Sequence, residues 1–147
     1  MKLIIGCDPN ATDFKNALIP YIESLGHAIT DAGSDDPIYA NVAIDVAKKV
    51  AAGEYERGII ICGTGIGVSI AANKVPGAYC ALVTNVYQAE RAQLSNNANL
   101  IAFGAQTMGI ELAKALVKEY LSHTFDPNSR SGPKVQRICD YEGEAKA

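Results

Sequence analysis

Residues 58–74, GIIICGTGIGVSIAANK, constrain the fold more than any other stretch of this 147-residue chain. Ile59, Ile60 and Ile61 open it. A β-branched run without polar alternation reads as a strand buried on both faces. Cys62 follows, then Gly63, Gly65 and Gly67, three glycines in five positions. Helix-compatible residues resume over 69–73. A strand, a glycine loop and a helix in that order make a βα turn. A helix start leaves N–H donors unpaired and its dipole favours negative charge, so the turn suits an anion. The spacing is neither of the common nucleotide loops: the third glycine comes one residue too early for the dinucleotide fingerprint, and no Lys-Ser/Thr pair follows Gly67. The distinguishing residue is Cys62, a thiol at a strand tip facing a helix start, a setting that favours thiolate. The loop alone is equally consistent with a tight connection around a buried cysteine.

The rest of the chain repeats the strand–helix alternation. Residues 2–7 read as a strand, followed by a turn at Asp8-Pro9-Asn10. Phe14, Leu18, Tyr21 or Ile22, and Leu25 recur at helical spacing, which predicts a helix over 12–25. Thr12 or Asp13 would cap it, Pro20 would kink or break it, and Gly26 would end it. Strands are predicted at 27–31, 78–83 and 100–103, and helices at 39–52, 86–94 (capped by Asn85), 108–122 and 133–141. Residues 142–147 read as a frayed tail. Short connections between apolar strands and amphipathic helices predict one α/β domain over 1–147, with a mostly parallel sheet and helices on both faces. Ligands of such sheets sit beyond the carboxyl ends of strands, where strand order reverses.

A net charge of −3 gives no reason to expect a nucleic-acid partner. No apolar run approaches a membrane span, and the opening apolar run is too short for a signal peptide. The four cysteines, Cys7, Cys62, Cys80 and Cys139, include no C-x-x-C pair, and two histidines offer little to a zinc ion. Scattered thiols predict a reducing cytoplasm, with Cys7, Cys80 and Cys139 as packing residues.

Specific segments then carry a resemblance. Residues 6–8 read G-C-D, 61–67 read I-C-G-T-G-I-G, 70–77 read I-A-A-N-K-V-P-G, 102–104 read A-F-G and 109–114 read G-I-E-L-A-K. Spread over nearly the whole chain, they resemble the ribose-5-phosphate isomerase B / galactose-6-phosphate isomerase (RpiB/LacA/LacB) family. The resemblance implies a Rossmann-like three-layer α/β/α sandwich with a five-stranded parallel sheet. It implies aldose–ketose isomerisation of a phosphorylated small sugar without metal or cofactor. It also implies a homodimer with shared active sites, and leaves open whether dimers pair into tetramers.

By the same resemblance, Cys62 matches the base that moves a proton between C1 and C2. The amides over 63–67, those of Gly63, Gly65, Ile66 and Gly67 among them, match the hole for the enediolate oxygen. Thr64 matches a hydroxyl near the reacting oxygens. Asp8 and Asn96 match polar substrate contacts, with Asn10 as a further polar position, and Tyr39 matches a tyrosine lining the sugar pocket. Arg130 and Lys134 match two phosphate-binding cations supplied across the dimer. Relatives that lack the cysteine place Glu where this chain has Val68, so the cysteine-base branch applies.

Four departures stand out. Pro9 replaces a His, Ser95 replaces the ring-opening His, Gln106 replaces an Arg, and Ser131 replaces another His. Neither His27 nor His123 is expected to substitute. A furanose must be opened before it isomerises, whereas a tetrose 4-phosphate cannot close a furanose ring because its O4 carries the phosphate. The segment 89–98, A-E-R-A-Q-L-S-N-N-A, resembles the family branch that includes tetrose enzymes. Arg91 there is a candidate replacement cation for the phosphate. The readings are therefore a ribose 5-phosphate isomerase first, a tetrose 4-phosphate or hexose 6-phosphate isomerase second, and a non-catalytic phosphosugar-binding subunit third.

Overall fold

The apolar runs without polar alternation become the centre of the sheet. The computed structural model describes residues 1–146. Its strands are β1 (Lys2–Cys7), β2 (Ala28–Asp31), β3 (Arg57–Cys62), β4 (Cys80–Leu82) and β5 (Leu100–Gly104). All pairings are parallel, in the order β2-β1-β3-β5-β4. The helices are α1 (Thr12–Ser24), α2 (Tyr39–Ala51), α3 (Ile66–Ala72), α4 (Val86–Leu94), α5 (Ile110–Leu121) and α6 (Gly132–Lys146).

Strand alternation sorts the core into two halves. Leu3, Ile5, Cys7, Ile59, Ile61, Ile101 and Phe103 pack against α1, α4 and α5. Ile4, Ile60, Cys62, Leu100 and Ala102 pack against α2 and α3 on the other face. This is the three-layer sandwich expected. The chain leaves β1 for β2 on one side and returns to β3 on the other, so order reverses between β1 and β3. Their carboxyl ends, Cys7-Asp8 and Cys62, flank the crevice where parallel sheets hold ligands.

Several local expectations change. Asp8, not Thr12 or Asp13, provides the cap: its carboxylate accepts from the Asn10 amide, starting a single 3₁₀ turn at Pro9–Ala11 that runs straight into α1. Helix α1 passes through Pro20 without a break. Helix α6 continues to Lys146, so residues 142–146 are helical rather than frayed; Ala147 lies outside the described residues. The cause is Glu142, whose carboxylate accepts from the Gly77 amide at 2.8 Å and from the Tyr79 hydroxyl at 2.7 Å. Burial pushes the Cys7 thiol up to about 11 and the Cys80 thiol up to about 12, as suits packing residues.

The pairing of Lys15 with Asp31 locks α1 onto β2. Lys15 is only 3% exposed, and its Nζ reaches both Asp31 carboxylate oxygens at 2.7 Å. Partial burial works to raise the Asp31 carboxyl, but the Lys15 hydrogen bond, the Gly33 amide and the Lys15 charge together hold it below its ordinary 3.8. Asp31→Ala would strand a buried ammonium and is expected to cost about 3 kcal/mol in urea denaturation. The folded carboxyl is depressed, so its contribution is complete above pH 3.8 and is lost as pH falls through the folded value. The difference between wild type and variant should therefore shrink in acid. A difference that stayed constant down to pH 2 would remove the pair from the stability of the fold.

Candidate active site

The loop after β3 is built by close backbone approach. Gly65 has φ of +80°, a left-handed conformation that glycine adopts without steric cost, and a Cβ there would stand 2.7 Å from the Phe103 backbone. A Cβ on Gly104 would stand 2.6 Å from the Gly63 carbonyl oxygen. The end of β5 is therefore pressed against the loop, and the Ala105 and Gln106 amides tie it down by donating to the Cys62 and Gly63 carbonyls, each at 2.9 Å. The Gln106 side chain lies against Gly63.

Two of the loop amides turn back onto the loop's own side chains. The Gly65 amide donates to Cys62 Sγ at 3.1 Å, placing a donor beside a sulfur that is 5% exposed. The Ile66 amide donates to Thr64 Oγ1 at 3.2 Å, leaving the threonine O–H to donate elsewhere. Among the described residues, the Gly63 and Thr64 amides donate to no protein group. Two free N–H groups beside a sulfur suit a developing oxyanion and a proton acceptor on adjacent atoms. Val68, where some relatives carry Glu, is fully buried in the core with Cys62.

A cavity of about 400 Å³ opens over this loop, lined by Asp8, Tyr39, Cys62, Gly63, Thr64, Ile66, Gly67 and Ile70. Asp8 is buried at the tip of β1, held by the Asn10 amide at 3.1 Å and the Asn10 carboxamide at 3.3 Å. Asn10 thus orients Asp8 and does not itself line the cavity. The Tyr39 ring, at the start of α2, lies directly on Gly67 and would overlap any side chain there.

A second cavity of about 530 Å³ gathers the other predicted residues: Arg91, Ser95, Asn96, Arg130 and Lys134, with Asp126 among its walls. Arg130 and Lys134 are exposed and form no ion pair among the described residues. Arg91 donates through Nη1 to Ser95 Oγ at 3.3 Å. The Asn96 carboxamide donates to the Arg91 carbonyl at 2.9 Å, closing α4 and leaving its oxygen for the cavity.

The two cavities share no residue, and strand polarity explains why. Helix α4 leaves the carboxyl end of β4 and delivers Ser95 and Asn96 toward the amino end of β5. Register pairs Leu100 with Gly58 and Gly104 with Cys62, so the start of β5 lies about 13 Å below Cys62 along the strands. One chain therefore brings Cys62, Thr64, Asp8 and Tyr39 together, and Arg91, Asn96, Arg130 and Lys134 together, at opposite ends of the sheet. Sorting the candidates by motif alone does not reveal this division. Ile70, one turn beyond Ile66, lines the first cavity and was not singled out from sequence; its 58% exposure is the signal.

A parallel α/β sheet with two free loop amides, a thiol and a carboxylate at its switch point suits a small-molecule enzyme, and the loop has neither of the common nucleotide-binding spacings. Comparison with known proteins narrows the class. The Ribose/Galactose Isomerase family model matches residues 3–138. The chain is 45% identical over 149 residues to D-erythrulose-4-phosphate isomerase 2 of Mycolicibacterium smegmatis, covering 97% of this chain and 98% of that one. It is 41% identical over 150 residues to D-erythrulose-4-phosphate isomerase of Pectobacterium atrosepticum, covering 99% and 98%. Ribose-5-phosphate isomerase B of Clostridium thermocellum superposes with a TM-score of 0.92 at 36% identity, covering 99% of each chain. The chain belongs to the ribose/galactose isomerase family. It is an aldose–ketose isomerase.

Proposed function

We propose that the chain interconverts D-erythrulose 4-phosphate and D-erythrose 4-phosphate through an enediolate, at a site completed by a second copy of the chain. The Cys62 thiolate takes a proton from C1 of the ketose. The electron pair moves into a C1–C2 double bond, and the charge on O2 is held by the Gly63 and Thr64 amides. The Thr64 hydroxyl, whose oxygen already accepts from Ile66, passes a proton between O1 and O2. The Cys62 thiol then returns its proton to C2, giving the aldose, with atoms and charge conserved. Asp8, fixed by Asn10, accepts from a substrate hydroxyl.

The observation that carries the substrate is the Arg91–Ser95 contact. Ser95 stands where the ring-opening His of the family is expected, and its hydroxyl oxygen accepts from Arg91; an aliphatic alcohol is far too weak an acid to do an imidazolium's work on a ring oxygen. A four-carbon sugar phosphate cannot form a furanose, so it needs no ring opening. The two D-erythrulose-4-phosphate isomerases among the relatives agree with this reading. The second reading, ribose 5-phosphate, is favoured by the superposition on ribose-5-phosphate isomerase B.

What supports a shared site is the separation of the two cavities within one chain. Arg91, Asn96, Arg130 and Lys134 need a partner's Cys62 loop to reach reacting carbons. Ile66 and Ile70, 52% and 58% exposed beside the catalytic cavity, are apolar surface for that partner to cover. The homodimer works in a reducing cytoplasm, where the four cysteines stay as free thiols.

Specificity constants test the substrate. Erythrose 4-phosphate is expected to exceed ribose 5-phosphate, allose 6-phosphate and galactose 6-phosphate by about 100-fold or more in kcat/KM. An equal or higher constant on ribose 5-phosphate would move the second reading to first.

A further inference from the structure

Arg91 is held in a way that helix geometry does not supply by default. Adjacent residues of a helix do not face one another. Yet Arg91 Nε donates to Oε1 of its neighbour Glu90 at 3.0 Å, and Nη2 donates to the same oxygen. That engages one whole edge of the guanidinium. The remaining nitrogen, Nη1, points to Ser95 Oγ in the larger cavity. The Tyr87 ring, one turn earlier, lies 5.8 Å from Arg91 Cζ and covers a face of the group.

Glu90 does not line that cavity. It sits behind Arg91, where one ligand atom each of Glu90, Glu119 and His123 lies within 4.8 Å of the others. His123 Nε2 is 2.7 Å from Glu119 Oε1, so Glu119 is already engaged from the far side. Like charges on Glu90 and Glu119 repel. The arginine is the cation on the near side, and pairing with it relieves that repulsion. Polar groups thus stand in a row from the end of α5 to the cavity wall: His123, Glu119, Glu90, Arg91, Ser95.

We propose that Glu90 is a positioning residue for substrate selection: it turns Arg91 edge-on, so that Nη1 and the Ser95 hydroxyl together present the phosphate contact. This rests on the tetrose 4-phosphate reading. Serine is smaller than imidazole, so an anion can approach Nη1 beside position 95. The phosphate is then gripped in space that a ring-opening side chain would fill, which favours the shorter sugar. Without Glu90, the guanidinium edge is released, and Arg91 gains rotamers in which Nη1 leaves Ser95.

Steady-state kinetics on erythrose 4-phosphate and ribose 5-phosphate test this with Arg91→Ala, Glu90→Ala, Glu90→Gln and the Glu90→Ala/Arg91→Ala double variant. Arg91→Ala is expected to raise KM for the tetrose about 30-fold, and Glu90→Ala about tenfold, with kcat changed less than about twofold. Glu90→Gln should recover most of the loss, because its carbonyl still accepts from Arg91. In the Arg91→Ala background, Glu90→Ala should add less than about twofold, since its effect runs through the arginine. Both single alanine variants should lower the tetrose-to-pentose ratio of kcat/KM about tenfold. An unchanged KM in Glu90→Ala, or the same rise with and without Arg91, overturns the proposal. A wild type that prefers ribose 5-phosphate overturns the substrate reading instead. The Glu90–Arg91 coupling would then still be measured on KM for ribose 5-phosphate.

Discussion

Cys62→Ala is expected to lower kcat about 10³-fold while the sheet and the loop survive. Three titratable side chains line the cavity over the β3 loop: Asp8, Tyr39 and Cys62. The Asp8 carboxylate is engaged twice by Asn10, and the Tyr39 ring lies against Gly67. The position that carries Glu in other relatives is a buried valine. On the proposed mechanism Cys62 is the group that takes a proton from carbon. Its sulfur accepts from the Gly65 amide, and the Gly63 and Thr64 amides stand beside it, so base and oxyanion donors share one loop. Cys62→Ser keeps the shape of the site and is expected to fail similarly, because a serine hydroxyl is too weakly acidic to serve as the base form. NMR in D2O gives an independent readout: wild type should incorporate deuterium at the carbon that accepts the proton, and both variants should lose conversion and exchange together. Normal turnover in Cys62→Ala would remove the thiol from the mechanism.

Most of the fold was legible because its signals are local. The isoleucine run of β3, the glycine loop and the Asn85 cap of α4 depend on residues close in the chain, and each formed as read. The errors came from contacts that local pattern does not encode. Glu142 lies 65 positions from Gly77, and nothing near the C-terminus announces that its carboxylate will fix α6. Lys15 falls among polar residues of α1, and only its pairing with Asp31 explains its burial. In the site, the resemblance already sets Arg130 and Lys134 across a dimer from the Cys62 loop, but nothing local in the sequence groups Arg91 and Asn96 with them. Asn96 and Arg91 lie toward the other end of the sheet from Cys62. The information was present in strand polarity, since both precede the amino end of β5. The motifs alone hid it. Glu90 was visible only as one letter of a segment; its function needs the side-chain direction of Arg91.

That grouping yields the second large effect. Arg130→Ala/Lys134→Ala removes two cations that form no ion pair among the described residues, and is expected to cost about 10²–10⁴-fold in kcat/KM, the worth of two charge-assisted hydrogen bonds to phosphate. Cys62→Ala is inactive for a different reason. If each site takes its loop from one copy and its cations from the other, the two defects complement. A heterodimer of the variants holds one doubly damaged site and one intact site, because the loop of the cation variant meets the cations of the loop variant. With random pairing at equal amounts, half the dimers are mixed and half their sites are intact, so about a quarter of the wild-type rate returns. KM in the mixture should match wild type, because every working site is a complete one. Co-expression with two different tags, followed by tandem purification of the mixed species, should raise the recovery to about half, since every dimer is then mixed. A site contained within one chain gives the opposite result. Each copy would then carry its own fatal defect, and no mixture would exceed the residual rates of the two parents. The geometry favours the first outcome, because the helix that presents Arg91 and Asn96 runs away from the carboxyl edge on which Cys62 stands.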